Sequence, residues 1–159
     1  MELEQTIPAA SAARHPDGAA ALMLSRLRDA HAVLMDAMAA LDRLTRSPLD
    51  PIALPSARWR LSAASRARRA VWQDCYHHLL PLVDQPTAIA LTKLKSGDIA
   101  MARSSADHVA RWPSHAVKRD WEAYCEASRA VRARMSAAIE VEQRLVYPIL
   151  TLHRADRAR

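Results

Sequence analysis

The sequence predicts an all-α protein, an antiparallel up-down four-helix bundle, and three observations carry that prediction. Half of the 159 residues are apolar, yet Phe is absent, Gly occurs only twice, and Ala, Leu, Arg and Met recur throughout, which is helix-forming composition. Apolar side chains return at three- and four-residue steps over four long segments. No segment alternates in the two-residue manner of a half-buried strand. A chain of this length buries a core as one domain without disulfide or metal staples.

Residues 1–17 read as a mobile tail, 18–152 as the bundle and 153–159 as a second tail. Asp17 and Gly18 open the first helix, whose stripe runs through Leu24, Leu27, His31, Leu34, Met38 and Leu41. "SPLDPIALPS" (47–56) follows, where three prolines predict an extended connector and Ser56 can cap the second helix, expected over 57–83. Pro81 falls in its last turn. The stretch 84–112 opens on Asp84 and Pro86, and Ser96 and Gly97 predict a break with Asp98 as a new cap, hence a short helix followed by the third. "WPSH" forms the next turn, with Ser114 capping a fourth helix that continues to about residue 152. Stepping back along it from Ile149 gives Leu145, Glu142, Ala138, Met135, Val131, Ser128 and Cys125. A carboxylate inside that stripe requires a buried donor or a metal, unless the stripe itself is read wrongly by one position.

The formal net charge is +6, and all but three of the 23 basic residues are Arg. They cluster in "RWRLSAASRARR" (58–69) and "RAVRAR" (129–134), where a solvated helix face is preferred to a nucleic-acid surface because aromatic interleaving and a recognition motif are missing. No uncharged apolar run approaches the roughly 20 residues of a membrane span. The first residues lack the apolar core of a signal peptide, so a cytoplasmic protein is expected. Cys75 and Cys125 lie on apolar faces without metal-ligand spacing and read as buried free thiols. Trp59, Trp72, Trp121 and Tyr147 either pack the core or meet a second copy in a homodimer.

His31, His108 and Glu142 offer three inward ligands on three helices. Imidazole with carboxylate suits iron, zinc or manganese, whereas a hydrogen-bonded His and Glu pair satisfies both groups without metal. "LRDAHAVLMDAMAAL", "SADHVARW" and "AAIEVEQRLVYPIL" together make the chain resemble the hemerythrin-like family, the HHE cation-binding domains, over roughly residues 18–152. The resemblance implies a four-helix bundle with a di-iron centre, and it puts family ligands on His31, His108 and Glu142. It also expects His at Val71 and Ala138 and Glu at Cys75, so the usual di-iron set is broken. His77 and His78 sit about two turns from the expected level and read as end-of-bundle or surface residues. Cys75 is the remaining substitute, able to complete a mononuclear site as thiolate. "LTKLKSGD" resembles a histidine phosphotransfer stretch, but Thr92 replaces the phosphate-accepting His.

Three functions follow from this reading. The first is a hemerythrin-like module without cofactor that binds or regulates a protein partner. The second is an iron or zinc sensor built on His31, His108, Glu142 and Cys75. The third is a basic adaptor for an acidic partner or nucleic acid, carried by Arg58, Arg60, Arg66, Arg68, Arg69, Arg129, Arg132 and Arg134. No nucleophile, base and orienting group emerge together, so no catalytic reaction is expected.

Overall fold

A computed structural model describes residues 16–155, and those residues form helices joined by short turns, with no strand among them. The helices are α1 (Pro16–Thr45), α2 (Ala53–Leu79), α3 (Gln85–Arg111), α4 (Ser114–Arg119) and α5 (Trp121–Ala155). Most of the expected tail, 1–15, lies outside the described residues, as does 156–159. Pro16 already belongs to α1, and α5 continues to Ala155.

Helix α1 follows its periodicity: Leu24, Leu27, His31, Leu34, Met38 and Leu41 are all buried. Helix α2 begins at Ala53 rather than 57, because the Asp50 carboxylate accepts from the N–H groups of Ile52 and Ala53. Ser56 therefore lies inside the first turn and caps nothing, and Pro55 is tolerated there because early helical N–H groups have no intrahelical partner. The helix ends at Leu79, ahead of Pro81.

Two breaks fall elsewhere than the sequence predicts. Helix α3 is continuous through Ser96 and Gly97, capped only at Asp84, whose side chain accepts from Thr87 N–H. Tertiary pairing of Asp98 overrides the local turn signal there. The expected fourth helix instead divides at Asp120, where one carboxylate oxygen accepts from Ala123 N–H and starts α5. Along α5 the stripe also turns by one residue: Ile139, Val146 and Leu150 are buried, while Ala138, Leu145 and Ile149 sit at its edge.

Cross-helix bonds give the directions of neighbouring helices. His31 meets Glu142 while Asp42 meets Arg132, so α1 and α5 run oppositely. Arg58, Arg68 and Tyr76 of α2 meet Trp112, Asp98 and Thr92 in reversed order, so α2 and the α3 segment do the same. The core divides into three layers along the helix axes, centred on Leu27, Trp72 and Val146, on Leu34, Ala64 and Ile139, and on Leu41, Leu54 and Tyr124. His31, Arg68 and Glu142 lie in sequence between the first two layers on α1, α2 and α5, forming a polar seam between them, and Arg132, Ser128 and Thr45 form a second buried polar group. No helix among the described residues is long and apolar enough to cross a membrane.

Candidate functional site: a buried ion-pair network

Glu142 is 1% exposed and is bonded to side chains from two other helices. Its Oε1 lies 2.8 Å from His31 Nε2 on α1, and its Oε2 accepts from Arg68 Nη1 on α2 at 2.5 Å. Arg68 spends its second amino group on Asp98 of α3. On the far side, His31 Nδ1 is 2.6 Å from the Tyr147 hydroxyl. The two ring nitrogens of His31 thus bridge Glu142 and Tyr147, Nε2 facing the carboxylate and Nδ1 the hydroxyl. The chain Tyr147–His31–Glu142–Arg68–Asp98 therefore joins α1, α2, α3 and α5, and its three links that end on a carboxylate are charge-assisted hydrogen bonds.

The guanidinium decides what this arrangement can do. Each oxygen of Glu142 already faces a nitrogen donor, and Arg68 supplies a fixed positive charge that would repel a cation placed beside it. Arg68 Nε and Trp72 Nε1, one helical turn apart, are the two buried side-chain donors without a partner among the described residues.

Of the residues singled out from sequence, His31 and Glu142 come together and His108 does not join them. The Arg134–Ser104 bond sets the register of α3 against α5, which places His108 about twelve residues, or about 18 Å at 1.5 Å per residue, from the Glu142 level. His108 stacks instead on Tyr124, with ring centroids 5.8 Å apart, beside Trp112 and Trp121, which also pack on Tyr124. Burial, and then the charges of Arg58, Arg132 and Arg134, hold its pKa below the ordinary imidazole value. Cys75 is fully buried in the layer of Leu27 and Leu79, and burial followed by the nearby Glu142 charge pushes its thiol up to about 12. There it packs as a small apolar side chain. Among the described residues, no three His, Cys, Asp or Glu side chains converge as metal ligands. The residues present thus do not fit the metal centre that the resemblance implies.

Two arginines of the expected basic face are interior. Arg68 is 6% exposed, and Arg132, equally buried, bonds Ser128, Thr45 and Asp42. Both follow the buried positions of their helices, Arg68 between Ala64 and Trp72 and Arg132 between Ser128 and Met135. That spacing was the available signal. His77 is exposed and His78 half-buried at the end of α2. Cys75 and Cys125 are both free and buried. Compared with known proteins, the chain matches no protein-family model, no curated protein and no solved structure.

Proposed function

We propose that this chain is a hemerythrin-like, antiparallel up-down four-helix bundle in which a buried ion-pair network stands in place of a di-iron centre. It acts as a cytoplasmic binding or regulatory module without catalysis. One observation carries the reading: the Arg68 guanidinium sits between Glu142 and Asp98, giving the interior the positive charge that a metal would otherwise supply. Hydrocarbon at Val71 and Ala138 and a buried free thiol at Cys75, where the family resemblance expects ligands, support it further. Unpaired cysteines suit a reducing compartment.

Elemental mass spectrometry on untagged protein purified without chelator tests this reading. The expected result is no stoichiometric metal together with a stable helical spectrum. One iron or zinc per chain, abolished by His31→Ala, overturns it.

A further inference from the structure

A second feature lies away from the network, where α2, α3 and α5 separate around a cavity of about 380 Å³. Its walls are largely apolar, from Leu61 of α2, Ala102 and Val109 of α3, and Val131 and Met135 of α5. Its charged lining is entirely basic: Arg58, Arg66, Arg69 and Arg132 border it, with His108, and no Asp or Glu does. Arg132 is neutralised by Asp42, but Arg66 and Arg69 have no acidic partner among the described residues. Arg58 holds Trp112 O at 2.7 Å and lies over the Tyr124 ring, so it is fixed in place as a positive wall.

An apolar cavity bordered by three guanidinium groups without an acidic partner, those of Arg58, Arg66 and Arg69, is complementary to a ligand with a hydrocarbon body and one anionic end. A singly charged head is favoured over a doubly charged one, because the hydrocarbon walls leave little to repay a larger desolvation cost. At roughly 30 Å³ per water-sized group, the volume accommodates about a dozen such groups. We propose that this cavity binds a small amphipathic carboxylate of roughly ten carbons, its chain between α3 and α5 and its head on Arg66 and Arg69. This rests on the binding-module reading above and names the class of ligand.

Calorimetric titration with decanoate below its micelle concentration, beside 1-decanol, tests the proposal. Decanoate should bind saturably and at least about tenfold tighter than the alcohol, equivalent to about 1.4 kcal/mol. Arg66→Glu with Arg69→Glu, both on the rim, should remove the preference for decanoate while leaving the melting temperature close to wild type. Ala102→Trp should fill the chamber and abolish binding of both probes. Absence of saturable decanoate binding, equal affinity for the alcohol, or binding unchanged in the rim variant would each overturn the proposal. Metal content is a separate readout: metal-free protein that ignores decanoate loses this inference alone, whereas stoichiometric metal removes the module reading itself.

Discussion

Replacing Arg68 by Met keeps most of the side-chain volume and removes the guanidinium. Glu142 is then left with His31 as its single partner in a site whose side chains are 2% exposed, and Asp98, at 13%, loses its ion pair. Removing one member of such a buried pair costs about 3–5 kcal/mol, because the remaining charge stays desolvated without compensation. At about 2–4 °C per kcal/mol for a domain near this size, the melting temperature should fall by roughly 6–20 °C. Glu142→Met should be similarly damaging, since it strands Arg68. The double variant Arg68→Met/Glu142→Met should be more stable than either single variant, as two facing apolar side chains leave Asp98 close to water and His31 still bonded to Tyr147. Urea unfolding of the four proteins, followed by far-ultraviolet circular dichroism, measures the coupling. Single losses below about 1 kcal/mol, or a double loss equal to the sum of the singles, would refute the network as a structural element.

Three further outcomes are expected. Tyr147→Phe should cost about 0.5–1.5 kcal/mol by removing the hydroxyl from His31 Nδ1, and an unchanged unfolding midpoint would show that this bond adds nothing. The Cys75 thiol, raised from 9 to about 12 by burial, stays protonated in the fold while the unfolded chain ionises; stability should therefore fall between pH 9 and pH 12 by about 1.4 kcal/mol per pH unit, a slope that Cys75→Ala should flatten. Gly97 lies within α3 with nothing within 4 Å of an added methyl group, so Gly97→Ala should stabilise by about 0.5–1 kcal/mol, and a lower melting temperature would contradict an open helical position.

The sequence made faces legible but not heights. Periodicity in α1 located every buried position from Leu24 to Leu41, and the same logic marked Glu142 as a carboxylate in need of a partner. It also turned His108 inward. Whether two inward residues meet depends on where antiparallel helices start relative to one another, and that follows from caps such as Asp50 and Asp120, where the sequence points instead to Ser56 and Ser114. Arg68 and Asp98 are 30 residues apart, so no local spacing joins them. Read separately, one belongs to a basic run and the other to a helix start beside Gly97. Only their convergence explains why an arginine is affordable in the core.

Helix α3 buries Leu91 alone among its 27 residues, and side-chain hydrogen bonds from Thr92, Asp98 and Ser104 tie it to its neighbours. An element attached by polar contacts, with little apolar area to expose, opens at a smaller free-energy cost than the rest of the fold. Its amide protons should exchange with solvent well before those of α1 or the middle of α5. Helix α3 is therefore the long helix expected to lift first while the others stay packed, and the network would report that movement because Asp98 would leave Arg68.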